Sequence, residues 1–201
     1  MAPWGGAKKL VGNNPFAWAA PAGKEWPMVL DMATSVAAGG KLDMARIKGE
    51  KLPLGWALDP EGNPTDDPEI ARKGSLLPVG GPKGYGMAVM LDVLCGVLSA
   101  GRFGCGLGDG GRGTSSHFFQ ALRVDDFIPL AEFQAKMDEL INQIYTSPLA
   151  PGVKRVYLPG EIEYGLTQER LKSGIPTEAA ILNQLEEFAT EVGAATKPSM
   201  W

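Results

Sequence analysis

The chemistry available to this chain rests on few side chains. His117 is its one histidine, so neither a two-histidine metal site nor a histidine relay can be built from these residues alone. Cys95 and Cys105 lack the spacing of a redox or zinc pair and read as reduced, intracellular thiols. His117 stands between Ser116 and the Phe118-Phe119 pair. A general-base role would need a nucleophile nearby, and the neighbouring sequence holds none, so a core or interface histidine on an apolar strand is expected. Glu161 and Glu163 alternate with Ile162. In an extended segment both carboxylates would share one face, where solvation is the usual fate.

Two backbone-built sites compete with simpler alternatives. Gly80-Gly81-Pro82-Lys83-Gly84-Tyr85-Gly86 leads into a long apolar pattern. Free N–H groups and the positive dipole end at a helix start form an anion site, and Lys83 adds a full charge. A tight turn packed against neighbouring backbone, with Lys83 in solvent, fits the same residues. Asp31 closes the apolar run Met28-Val29-Leu30. A carboxylate at a strand end can accept from ribose hydroxyls, or it can stabilise the start of a following helix. Gly106-Leu107-Gly108-Asp109-Gly110-Gly111 has the letters GxGxxG. That fingerprint needs a strand before it and a helix directly after. Here a helix precedes and a Gly/Ser loop follows, so a surface loop is expected.

The elements that must position these groups are mixed. Phe16 to Ala20 and Met28 to Asp31 read as strands separated by the Pro21-Ala22-Gly23-Lys24 turn. A helix is expected from about Ser35 to Ile47, with Thr34 or Ser35 as its N-cap, although Gly39-Gly40 weakens it. Residues 48–79 read as mostly irregular. Met87, Met90, Leu91, Leu94 and Leu98 recur at helical spacing, with Val89, Val93 and Val97 on a neighbouring face, which predicts a buried core helix. Phe118 to Val124 reads as a strand, and Pro129 opens a helix whose stripe is Leu130, Phe133, Met137, Leu140, Ile141 and Ile144. Lys154 to Leu158 is strand-like. Thr177 would cap a last amphipathic helix through Ile181, Leu185, Phe188 and Val192, with a frayed tail after Gly193. The fold class is therefore α+β.

Composition sets the outer bounds. The 201 residues carry 19 basic and 23 acidic side chains, a mildly acidic balance that argues against nucleic acid as a partner. Hydrophobic residues make up 44% of the chain, enough for a folded core and too many for disorder throughout. With 27 glycines and 16 prolines the chain exceeds the average Gly and Pro usage of about 12%, so it is rich in loops. The opening residues lack the apolar segment of a secretory leader. Met87 to Leu98 is interrupted by Asp92 and falls short of the roughly 20 residues a bilayer needs. A cytoplasmic protein, not associated with a membrane, is expected.

Several ordered segments carry a family resemblance. Gly12-Asn13-Asn14-Pro15-Phe16-Ala17 resembles a G-T-N-P turn-and-strand signature. Leu30 to Val36, Gly40-Lys41, Leu54 to Asp59 and Gly62 to Thr65 follow in order. After them come Leu77 to Gly86, Leu94 to Ser99, Ser116 to Phe119 and Leu158 to Glu161. Over about residues 2–176 the chain resembles the malate/L-lactate dehydrogenase family of the non-Rossmann type.

The resemblance implies a mainly antiparallel cofactor-binding sheet flanked by helices, a homodimer, and hydride transfer between NAD or NADP and a small 2-oxo or 2-hydroxy acid. It implies an NAD(P)-binding domain over residues 1–146 and a C-terminal segment, 147–201, packing back on the sheet. Asp31, Met32, Ala33, Thr34 and Ser35 would line the dinucleotide. Pro82, Lys83 and Gly84 would hold phosphate, and Val156, Leu158, Pro159, Gly160 and Glu161 would make a third contact. Asn13 would lie near the substrate, where the family usually has Thr, and Pro82 stands where many members carry His. His117 is not a catalytic position in the family. The family's proton-donating His and substrate-clamping Arg belong to a portion N-terminal to this sequence, so no catalytic residue is expected here and the fold is read as N-terminally truncated. A non-catalytic dinucleotide- or partner-binding module is the alternative.

Overall fold

Two short runs of β-formers flanking a turn pair with each other. In the computed structural model, β1 (Phe16–Ala20) and β2 (Met28–Met32) form an antiparallel ribbon in which Ala17 faces Asp31 and Trp18 faces Leu30. A second antiparallel sheet has the order β4-β3-β5, with β3 at Ala57–Leu58, β4 at Pro64–Thr65 and β5 at Ser75–Leu76. Residues 1–108 and 115–194 are described. They fall into two units, Met1–Pro159 and Gly160–Trp201.

A two-stranded ribbon is marginal in water, so the first unit must support it from outside. Helix α4 (Leu130–Tyr145) does so. Its Ile141, 1% exposed, and Met137 pack with Ala20, Ala22, Met28 and Leu158. Along the same helix, the Asp138 carboxylate accepts from the backbone N–H groups of Gly23, Lys24 and Glu25 at 2.9, 2.8 and 3.3 Å. Those hydrogen bonds, led by the one from Lys24, hold its carboxyl below the usual value. The turn between β1 and β2 is therefore fastened to α4 by apolar packing and by charge-assisted hydrogen bonds.

A second cluster forms around α1 (Gly39–Lys48) and α2 (Pro68–Lys73). Leu42, Ala45, Leu52, Ala57 and Ala71 are buried together. Asp67 caps α2, accepting from Glu69 N at 2.8 Å and Ile70 N at 3.1 Å, and Pro68 occupies the first turn, where a missing N–H is harmless. This helix lies inside the stretch that the sequence left irregular.

Several other expectations are corrected. Helix α1 begins at Gly39 with Ala38 as its cap, not at Ser35. Thr34 and Ser35 are instead drawn into extended pairing. Val36 N–H donates to Leu77 O at 2.8 Å, Val79 N–H donates to Thr34 O at 2.9 Å, and Ser35 bridges Pro78. The apolar helix starts earlier than expected, as α3 (Pro82–Leu91), and continues into a π-helical turn at Asp92–Val97. It is not a buried core helix: Met90, Val93, Val97 and Leu98 are exposed, and Gly84, Ala88 and Leu91 make its buried side. Phe118 to Val124 forms no strand, and neither does Lys154 to Leu158. Pro129 caps α4 and does not begin it.

The second unit contains α5 (Glu161–Ser173) and α6 (Ala179–Glu191). Glu161 and Glu163 sit in the first turn of α5, where acidic side chains suit the helix dipole, so the extended reading of this pair is wrong. Glu178, not Thr177, caps α6, and the Thr177 hydroxyl donates to Ile175 O at 3.2 Å. Gly106 to Gly108 lie in a short 3-10 turn (Gly104–Gly108), and the rest of the Gly106–Gly111 motif and the tail beyond Ala194 lie outside the described residues.

Candidate functional site

The extended pairing that displaced the start of α1 also assembles a site. Thr34, fully buried, donates both its N–H (2.9 Å) and its hydroxyl (3.0 Å) to the carbonyl of Asn13. The Thr34 carbonyl in turn accepts from Val79 N–H. The Val79 carbonyl then accepts from Gly84 N–H at 3.0 Å, inside the first turn of α3. One hydrogen-bonded run thus links three sequence-predicted segments: Asn13, Asp31 to Ser35, and Pro82 to Gly84. Asn13, Asp31, Pro82 and Lys83 are exposed, whereas Thr34, Ser35 and Gly84 are buried. Met32 and Ala33 are half-buried.

The fourth predicted segment joins in part. Pro159 O accepts from Val29 N–H at 3.3 Å, two residues before Asp31 on β2. Leu158 beside it is buried in the α4 cluster, and Val156 is half-buried. Gly160 and Glu161 belong to the second unit, where Gly160, at φ 80, leads into α5.

At the start of α3 the structure changes the anion argument. Gly81 N–H donates to Pro78 O, Gly84 N–H to Val79 O and Tyr85 N–H to Gly81 O, while Pro82 has no N–H to give. Lys83 N–H makes only a long contact, 3.4 Å, to Gly80 O. The free N–H groups expected there are largely engaged. What remains for an anion is the helix dipole and the Lys83 ammonium. No acidic residue sits in the first turn, and Lys83 makes no ion pair among the described residues. The indole of Trp4 borders the same turn, 2.9 Å from where a Cβ on Gly81 would stand.

His117 is exposed, with its ring 6.1 Å from that of Phe119, so it is not the core histidine the sequence suggested. Cys95 is half-buried and Cys105 exposed, both as free thiols. Among the described residues no cluster of three or more His, Cys, Asp or Glu is placed to hold a metal, and no helix is long and apolar enough to cross a membrane.

Two residues of the site were missed at the level of sequence, Asn14 and Asp92. Asn14 Nδ2 donates to Ala88 O and to Asp92 Oδ1, both at 2.8 Å. The Asn-Pro pair marked a turn, but no local signal points to a helix more than seventy residues away.

Comparison with known proteins places this arrangement. The family model for malate/L-lactate dehydrogenase matches residues 1–186. The chain belongs to that family. It is 41% identical over 203 aligned positions to a malate dehydrogenase of Pyrococcus abyssi, covering 96% of this chain and 56% of that protein. An L-sulfolactate dehydrogenase of Methanocaldococcus jannaschii is 38% identical, with the same coverage of 96% and 56%. The solved malate dehydrogenase of Pyrococcus horikoshii superposes with a TM-score of 0.82 at 38% identity, over 96% of this chain and 55% of that one. The chain therefore spans about 56% of the length of the curated relatives it matches. A further relative, 36% identical, is a (2R)-3-sulfolactate dehydrogenase (NADP(+)) of Chromohalobacter salexigens. The family is one of oxidoreductases, and the mixed helix-and-strand fold with small antiparallel sheets agrees with it.

Proposed function

We propose that this chain carries the dinucleotide-binding part of an oxidoreductase that passes a hydride between NAD(P)H and a small 2-oxo or 2-hydroxy acid. The observation that supports this most is the run from Asn13 through Thr34 and Val79 to Gly84, which ties a substrate-side turn to the helix start bearing Lys83. The dinucleotide-binding part is residues 1–146, on a non-Rossmann antiparallel frame, followed by a C-terminal segment, 147–201. The protein works as a cytoplasmic homodimer.

The residues present suit a dinucleotide. Lys83, exposed and without an acidic neighbour in its turn, gives a positive charge for a phosphate. Asp31 on β2 is an exposed carboxylate that can accept from a ribose hydroxyl. Thr34 and Ser35 spend their own groups on backbone, Thr34 on Asn13 O and Ser35 on Ala37 O, and so stiffen the floor beneath the ligand. Pro159, held to Val29, stands beside β2, and with Val156 and Leu158 it would give a further contact from the first unit, while Gly160 and Glu161 remain expectations of the resemblance alone. When bound, the nicotinamide supplies or accepts the hydride. The Asn13 amide donates to the acid. Protonating the developing alkoxide and clamping the substrate carboxylate need an acid and a guanidinium fork. On this reading both come from outside these 201 residues.

The test is a fluorescence titration of NADH and of NADPH into the protein. Saturable binding of one of them is expected, weakened about tenfold or more in Lys83→Ala, because a charge-assisted contact is lost. Absence of saturable binding for both dinucleotides would overturn the proposal. Binding that persists with no oxidation of malate or lactate under any complementation would point to the non-catalytic module instead.

A further inference from the structure

The Gly12–Pro15 turn is held from two sides, and the second clamp has a chemical signature of its own. Asn14 adopts φ 23, in the left-handed region that asparagine tolerates better than most residues. Its side-chain nitrogen serves two acceptors, the Ala88 carbonyl in α3 and the Asp92 carboxylate, at 2.8 Å each. Aspartate has no hydrogen to donate there, serine has one, and glutamine is longer by a methylene, so these contacts select asparagine. Its Oδ1 occupies the space where a Cβ on Gly12 would collide, so Gly12 makes room for the clamp. Opposite, the Asn13 carbonyl takes both donors of Thr34. The Asn13 backbone is thereby held between a grip on residue 34 and a grip on residues 88 and 92. Asp92 opens the π-helical turn at the far end of the helix that begins beside Lys83. One rigid element therefore carries the phosphate-side charge at one end and the turn's anchor at the other.

From this geometry we infer that Asn14 and Asp92 are positioning residues that set where the Asn13 amide meets the 2-oxo or 2-hydroxy acid. The inference rests on the function proposed above. It predicts a split: loss of the clamp displaces Asn13 and spares the dinucleotide, whose proposed contacts run through Lys83 and Asp31.

The probe is L-malate titrated calorimetrically into protein saturated with NADH or NADPH. Both partners are then in their reduced form, no hydride can pass, and the heat reports binding alone. In Asn14→Asp, a carboxylate of the same shape faces Asp92. L-malate affinity is expected to fall about tenfold or more, with the dinucleotide affinity held within about twofold, as for a lost charge-assisted hydrogen bond. The double variant Asn14→Asp/Asp92→Asn restores a donor and an acceptor in reversed order. It is expected to recover at least half of that loss on a logarithmic scale, which a general weakening of the fold would not. Unchanged L-malate affinity in a folded Asn14→Asp overturns the inference. So does an equal loss of both ligands, or no recovery in the double variant, or wild-type protein that binds dinucleotide and not L-malate. Failure of wild-type protein to bind either dinucleotide overturns the underlying function instead, and is seen before any variant is made.

Discussion

Two glycines in the same helix should respond to the same substitution with opposite signs. A Cβ on Gly84 would collide with the Val79 carbonyl and lie 2.8 Å from Val79 Cγ1 and 2.9 Å from Val79 N. These neighbours are mostly backbone, and the same carbonyl accepts the Gly84 N–H at 3.0 Å, so relief requires α3 to move off residue 79. Alanine in a helix is favoured over glycine by about 0.5–1 kcal/mol. Against this stand an overpacking penalty of about 1–3 kcal/mol and a weakened hydrogen bond of about 1 kcal/mol. Gly84→Ala should therefore be destabilising by about 1–3 kcal/mol net. Gly86, two residues on, is exposed with nothing within 4 Å of its would-be Cβ, so Gly86→Ala should stabilise by about 0.5–1 kcal/mol. Each kcal/mol corresponds to roughly 2–4 °C in Tm for a chain of this length. Urea unfolding followed by tryptophan emission is the assay, since Trp4, Trp18, Trp26 and Trp56 all lie in the first unit. If Gly84→Ala proves as stable as Gly86→Ala, the close approach of α3 to Val79, and with it the placement of Lys83, is refuted.

Three further outcomes are expected. Ile141→Ala, removing the most deeply buried side chain of the α4 cluster, should be destabilising by about 2–5 kcal/mol in the same unfolding assay; a loss below about 1 kcal/mol would mean that α4 does not support the β1–β2 ribbon. Asp67→Ala removes both hydrogen bonds that cap α2 and should be destabilising by about 0.5–2 kcal/mol, recoverable in Asp67→Asn or Asp67→Ser. The Asp138 carboxyl titrates below its ordinary 3.8 because it accepts from Lys24, Gly23 and Glu25. A depressed folded pKa contributes stability that is fully present above 3.8 and is lost as the pH falls through the lower folded value. Asp138→Asn should therefore lower stability at neutral pH and flatten the acid limb of the unfolding curve; an acid limb identical to wild type would argue against the hydrogen bonds to residues 23–25.

Some of the fold was legible in local sequence. The strands Phe16–Ala20 and Met28–Met32 were marked by the turn between them, and α4 by a continuous apolar stripe. Helix α2 was not, since its six residues are too few to show a period, although Asp67-Pro68 carried the cap and first-turn signal. Thr34 and Ser35 look like helix caps because their oxygens can serve a helix start. Here those oxygens serve Asn13 and Ala37, because the backbone at 34–36 pairs with 77–79, and pairing across forty residues is invisible to a local pattern. The apolar run from Met87 correctly signalled a helix, but burial depends on what packs against it, and among the described residues Met90, Val93 and Val97 stay exposed.

The site itself was legible in a different way. The family resemblance marked Asn13, Asp31 to Ser35 and Lys83, and the geometry shows how the backbone joins them. The glycines before α3 suggested a phosphate cradle of free N–H groups. Instead those N–H groups bind Pro78, Val79 and Gly81, so the glycines serve close packing, as Gly84 does against Val79. On the proposed function, recognition of a phosphate then falls to the Lys83 ammonium, a point charge on a flexible stem aided by the helix dipole. The proposed substrate side is built on the opposite principle. Asn13 is flanked by Thr34 and Asn14, whose side-chain donors are committed to fixed acceptors, with Asp92 receiving one of them. A screened, adaptable charge can follow a large ligand as it settles. A hydride transfer instead needs its small substrate held to within a fraction of an ångström. On the proposed function, the rigid grip accordingly lies at Asn13 and the adaptable one at Lys83.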